Sequence, residues 1–66
     1  MTNKIKVERA ILNLTQKELA NRISVSRQTI NAMEANKYVP STVLALKIAR
    51  VFDKPVEQIF FLDTED

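Results

Sequence analysis

The 66-residue sequence contains no cysteine, no histidine, no glycine and no tryptophan. Each absence removes a class of chemistry. Without cysteine there is no disulfide framework, no zinc ribbon and no thiolate nucleophile; without histidine there is no imidazole ligand and no Ser-His type of base. A metal site and most small-enzyme mechanisms go with them, and nothing calls for a cofactor. A carboxylate pair remains for acid–base work, but so short a chain leaves little room for the pocket of about 300 Å³ or more that small-molecule sites need. The sequence reads as a non-enzyme. Long apolar runs are missing too. None approaches the roughly 18 residues of a membrane span, and the N-terminus lacks the apolar core of a signal peptide. The expectation is a cytoplasmic chain with no membrane insertion.

What is present fits a single domain over residues 1–66, with its core at about 5–60 and an acidic tail at 63–66. A domain this small buries only about 60% of the surface its unfolded chain exposes. Lacking disulfides and metal, it depends on regular helix packing or oligomerisation. The net charge of +2 is unevenly placed. Residues 1–52 hold nine bases (Lys4, Lys6, Arg9, Lys17, Arg22, Arg27, Lys37, Lys47, Arg50) against three acids (Glu8, Glu18, Glu34). Residues 53–66 hold Lys54 against five acids, Asp53, Glu57, Asp63, Glu65 and Asp66. A basic body with an acidic end suits a polyanion partner.

The periodicity is helical throughout and predicts an all-α bundle of five short helices. Val7, Ala10, Ile11 and Leu14 give a first helix, roughly residues 4–13, one apolar face. Thr15 and Glu18 form a capping box for a second, with Leu14 and Leu19 as its hydrophobic staple. Leu19, Ala20 and Ile23 make its buried stripe before Ser24, Val25 and Ser26 end it. Ser26 caps a third helix from about Arg27 to Glu34 or Ala35, burying Ile30 and Met33, with Val25 and Ile30 repeating the staple. Its outward residues, Arg27, Gln28, Asn31 and Ala32, are long hydrogen-bonding or small side chains rather than the Glu and Lys of an ordinary solvated face. Pro40 stops any continuation. Ser41 or Thr42 caps a fourth helix to about Phe52, on which Val43, Leu44, Leu46 and Val51 are apolar beyond the one stripe of Ala45, Ile48, Ala49 and Phe52. Pro55 at the first position and Glu57 at the third start a fifth helix burying Val56, Ile59 and Phe60.

Two short, separately capped helices joined by three residues are the sequence form of a helix-turn-helix. Ala20 is small where the helices cross, and Val25 and Ile30 fill the wedge between them. The N-terminal end of the third helix is then left free to enter a major groove about 12 Å wide. The stretch Gln16-Lys17-Glu18-Leu19-Ala20, then Val25-Ser26-Arg27-Gln28-Thr29-Ile30, then Glu34, Asn36-Lys37 and Pro40-Ser41 resembles the lambda-repressor/Cro type of helix-turn-helix, the xenobiotic-response-element (XRE) family. The likeness covers about residues 5–60. It implies an all-helical DNA-binding domain of four or five helices that regulates transcription, commonly as a dimer on an inverted repeat.

Carried over by position, the resemblance makes Gln16 a helix-start phosphate contact that also braces the third helix. Arg27 and Gln28 become the leading base readers, with Asn31 and Ala32 further along. Arg suits guanine O6 and N7, Gln suits adenine N6 and N7, and the Ala32 methyl suits a thymine methyl. Lys17, Ser26, Thr29, Asn36, Lys37 and Tyr38 are placed for phosphates, which set register, and Lys6 extends that track. Tyr38 is equally suited to packing over the loop. Glu34 is expected in an internal ion pair with Arg22 or Arg9. The family often has glycine where Ser24 stands, at a turn position that favours positive φ, and a Ser or Thr cap where Lys54 precedes Pro55. Leu44, Val51, Phe60, Phe61 and Leu62 are candidates for a two-fold homodimer contact, with folding back over their own core as the alternative for Phe61 and Leu62. The expected function is a transcriptional repressor on double-stranded DNA. The competing reading is an interaction module, such as an antitoxin component, that binds a partner protein.

Overall fold

The computed structural model describes all 66 residues. It contains β1 (Thr2–Asn3), α1 (Ile5–Ile11), α2 (Gln16–Arg22), α3 (Arg27–Glu34), α4 (Thr42–Phe52), a single 3₁₀ turn at Val56–Gln58, and β2 (Phe60–Phe61). Short polar side chains set the helix starts. Thr15 Oγ1 accepts from the Glu18 N–H while Glu18 Oε1 accepts from the Thr15 N–H, both at 3.0 Å, so the capping box of α2 is complete. Ser26 and Ser41 hydroxyls accept from the Thr29 and Leu44 N–H groups, each at 3.2 Å, starting α3 and α4. Helix α1 has no such cap on Lys4; Asn3 Oδ1 accepts from the Ile5 N–H instead, at 3.1 Å.

The helix ends answer the absence of glycine. Asn13, Ser24, Asn36 and Asp53 follow the four helices with φ of 56°, 60°, 59° and 54°. The next residue in each case, Leu14, Val25, Lys37 or Lys54, donates its N–H back to Arg9, Ala20, Ala32 or Ala49, closing a Schellman turn. Asn and Asp tolerate the left-handed region because their side chains bond locally, whereas Ser24 gains less from that compensation.

The core gathers Ile5, Leu14, Leu19, Ala20, Ile23, Ile30 and Met33 with Leu44, Ile48, Ala49, Phe52, Ile59 and Phe60. Helices α2 and α3 pack closely through the Ala20 crossing, and Val25 is half-buried against them. Two expectations are corrected. A fifth helix does not form: Pro55 is extended at ψ 150°, the 3₁₀ turn ends after three residues, and Phe60–Phe61 pairs antiparallel with β1. Thr2 lies opposite Phe61 and Asn3 opposite Phe60. Three residues cannot repay helix nucleation, while two consecutive β-favouring aromatics find an unpaired backbone next to them. The class is therefore mostly helical with one small sheet. In α1 the expected face is also wrong: Val7 and Ile11 are exposed by 54% and 63%, and the helix turns Ile5, Glu8 and Arg9 inward. Glu8 pairs with Lys54 at 2.9 Å, and Arg9 pairs with Glu34. Ion-pair partners inside the fold, which α1's own pattern does not show, select that face.

Candidate nucleic-acid interface

Helix α3 starts at its Ser26 cap with Arg27 and Gln28 exposed on the first turn and Asn31 one turn later. These three side chains line one open cleft of about 300 Å³. Gln28 also borders a second depression of about 360 Å³, with Thr29, Ala32, Lys37 and Tyr38. The expected base readers and several of the expected phosphate contacts thus share one continuous face. Arg27 belongs to none of the ion pairs, and the first turn of α3 carries no acid. Its guanidinium has all its donors free for a partner outside the chain.

The positioning residues divide by what their donors already do. Ser26 and Thr29 hydroxyls lie 3.0 Å apart, so one hydroxyl proton is held between them and the other is free. Lys17 and Lys37 are exposed, as is Tyr38. Asn36 accepts from Asn3 Nδ2 at 3.3 Å, which leaves its own NH2 available. Gln16 is different. Its Nε2 lies 3.1 Å from Glu34 Oε1 and 3.4 Å from Asn31 Oδ1, so both amide protons are engaged inside the protein. The side chain thus links the start of α2 to Asn31 and Glu34 on α3, with both amide protons directed at those partners.

Behind this face lies a polar anchor. Arg9 Nε and Nη2 donate to the two oxygens of Glu34 at 2.7 and 3.0 Å, and Nη1 donates to the Leu14 carbonyl at 2.8 Å. Of the two partners expected for Glu34, the fold selects Arg9. Burial acts to raise the Glu34 carboxyl, but the Arg9 and Gln16 hydrogen bonds and the Arg9 and Lys6 charges outweigh it and hold it below the ordinary carboxylate value. Glu34 likewise raises the Arg9 guanidinium through the hydrogen bond they share. At the same C-terminal end of α3, Asn3 Nδ2 donates to the Met33 carbonyl at 2.8 Å. Sequence reasoning missed Asn3, and it missed that Lys54 neutralises buried Glu8. The spacing of Glu8 and Arg9 from Ile5, three and four residues on, puts two charges on a face with a core residue; it signals that they need partners but not which ones.

The candidate dimer residues are scattered in burial. Leu44 and Phe60 are each only 8% exposed and belong to the core of their own chain. Val51 and Phe61 are half-buried, Phe61 under Lys4 Nζ at 5.4 Å from the ring centre, and Leu62 is exposed. The exposed apolar side chains of α4 are Val43 and Leu46, which line clefts separate from the one at Arg27. No helix is long and apolar enough to cross a membrane.

A helix-turn-helix family model matches residues 5–59. An uncharacterized HTH-type transcriptional regulator of Methanocaldococcus jannaschii is 50% identical over 66 residues, covering 100% of both chains. Another from Archaeoglobus fulgidus is 52% identical, covering 100% of this chain and 93% of that one. One from Bacillus subtilis is 42% identical over the full length of both. Among solved structures, a proposed DNA-binding protein from Bacteroides fragilis superposes with a TM-score of 0.79 at 31% identity, covering 88% of this chain and 94% of its own. The chain belongs to the helix-turn-helix family of the XRE type.

Proposed function

We propose that this chain represses transcription by binding an inverted-repeat operator as a homodimer, with α3 in the major groove. Its place of action is the cytoplasm. Membership of the family, rather than any lack of a pocket, sets the enzyme reading aside. The observation that carries the proposal is the exposed α3 face of Arg27, Gln28 and Asn31, uncompensated by any acid and continuous with Lys37. Arg27, Gln28, Asn31 and Ala32 meet base edges; Lys17, Ser26, Thr29, Asn36, Lys37 and Tyr38 meet phosphates, joined by the Gln16 backbone N–H, free at the start of α2.

Repression follows from steric exclusion: a body of 32 × 22 × 20 Å seated in the groove blocks other proteins there, and its elements offer little surface for recruiting polymerase. One module reads only a few base pairs, whereas a dimer reads two half-sites about 34 Å apart. We place the two-fold contact on the exposed apolar side of α4, Val43 and Leu46, with Val51, Phe61 and Leu62 contributing what surface they retain.

Binding to genomic fragments measured against salt tests this reading. Specific sites bound with Kd of about 10⁻⁸ M and a steep salt slope support it; weak binding indifferent to sequence overturns it. Gln28→Ala should relax preference at one base pair, and Lys37→Ala should weaken all sequences alike and lower the salt slope by about one. The alternative, a module that chiefly binds a partner protein, draws on the exposed Val7 and Ile11 of α1. It predicts a complex that survives salt high enough to release DNA.

A further inference from the structure

We propose that Asn31 meets DNA as a hydrogen-bond donor only, its amide held in one orientation by a relay from Arg9 through Glu34 and Gln16, and that the base it selects is guanine. The proposal rests on the DNA-binding reading above and adds to it a rule for one base.

The relay is built from groups whose donor and acceptor characters leave no choice. Arg9 offers only donors and engages both Glu34 oxygens. An ionised carboxylate only accepts, so the end of the Gln16 amide that lies 3.1 Å from Glu34 Oε1 is its NH2. The same nitrogen lies 3.4 Å from the Asn31 amide, where only the oxygen can receive its second proton. Each orientation follows from the one before it, starting from a fixed charge. Asn31 Oδ1 therefore faces Gln16, and Nδ2, which has no partner within the chain, is the prong left for the groove.

That outcome changes what an asparagine can read. Pairing with adenine uses both ends of the amide, the oxygen accepting from N6 while the nitrogen donates to N7. With Oδ1 turned to Gln16, the end of the amide that Asn31 presents to the groove is its NH2, with two protons to give. Guanine is the one base with two adjacent acceptors, O6 and N7, on its major-groove edge; adenine sets the N6 donor beside N7, thymine offers O4 alone beside its methyl, and cytosine offers only a donor. Arg9, Glu34 and Gln16 thus act as positioning residues for the reader, although Arg9 and Glu34 lie on the inner side of the helices.

Selection from a randomised duplex pool tests this with wild-type protein, Asn31→Ala and Gln16→Leu at one salt concentration, each variant's fold checked by circular dichroism. The position whose preference disappears in Asn31→Ala is the one Asn31 reads. There the wild type should favour guanine over adenine by about fivefold or more, and Gln16→Leu, in which the amide can turn over, should bring the ratio toward parity. Adenine favoured by the wild type, no position altered by Asn31→Ala, or a guanine preference untouched by Gln16→Leu would overturn the relay. If the wild type enriches no sequence, the DNA-binding reading itself fails. Amide NMR of the free protein separates the two failures: the Gln16 side-chain protons should stand apart from those of exposed amides and return to them in Glu34→Gln, and protons already at the exposed position in the wild type would refute the relay whatever the DNA result.

Discussion

Helix α1 and the α2–α3 pair face the same core by opposite means. In α2 and α3 the apolar positions are the buried ones: Leu19, Ala20, Ile23, Ile30 and Met33 all lie inside. In α1 the buried face carries Glu8 and Arg9 beside Ile5, and the apolar Val7 and Ile11 point to solvent. Hydrophobic burial holds the reading pair together, whereas charged links fasten α1 to it through Glu34 and to the segment after α4 through Lys54. Burial is non-directional, but a bidentate Arg–carboxylate pair fixes geometry as well. The contrast suggests that α1 sets the position of α3 more than it adds to the core.

Removing one partner of the α1–α3 link should have the largest effect. Arg9→Ala leaves the Glu34 carboxylate buried without its cation and should cost about 3 kcal/mol in chemical denaturation. A double change, Arg9→Met with Glu34→Leu, should recover stability to within about 1 kcal/mol of the wild type, since apolar replacements of buried pairs are often neutral. If the double variant remains as unstable as the single one, the pair is not what holds α1 in place. Next in size, Ser24→Gly should stabilise the protein by about 1 kcal/mol by relieving the left-handed turn between α2 and α3. No gain would mean that Ser24 carries little strain at φ 60°.

Acid titration examines the same link by its charge. Glu34 has a folded value below its ordinary 4.5, so the unfolded chain takes up its proton first as the pH falls. Its stabilising contribution is complete above about pH 4.5 and is lost as the pH drops through the folded value. Glu34→Gln should therefore flatten the acid limb of the stability curve. Glu18 and Asp66, lowered chiefly by backbone N–H bonds from Thr15 and Asp63, should supply the slope that remains. An unchanged limb would deny Glu34 this role. Smallest of all, Ile11→Ser on the outer face of α1 should change stability by less than about 0.5 kcal/mol; a loss as large as that of a core residue would restore the apolar face to the interior.

The difference between the two regions also explains what the sequence made legible. Capping chemistry is local, so Thr15, Glu18, Ser26 and Ser41 marked three helix starts within three residues of themselves, and the staples at Leu14 and Val25 placed the turn between α2 and α3. Partner choice across the fold is not local. Nothing near Glu8 points to Lys54, forty-six residues away, and nothing near Asn3 points to the end of α3. The outward α3 residues were identifiable because their types are unusual for a solvated face. That the Gln16 side-chain amide is spent on Glu34 and Asn31 depends on distances, which spacing along the chain does not specify.

The claim that α3, and not the apolar outer side of α1, is the contact surface can be tested directly by NMR titration of labelled protein with a duplex selected from a random pool. Amide shifts should concentrate at Arg27, Gln28, Asn31, Ala32 and Lys37, with Val7 and Ile11 unmoved. Shifts centred on Val7 and Ile11, with Arg27 and Gln28 silent, would contradict it.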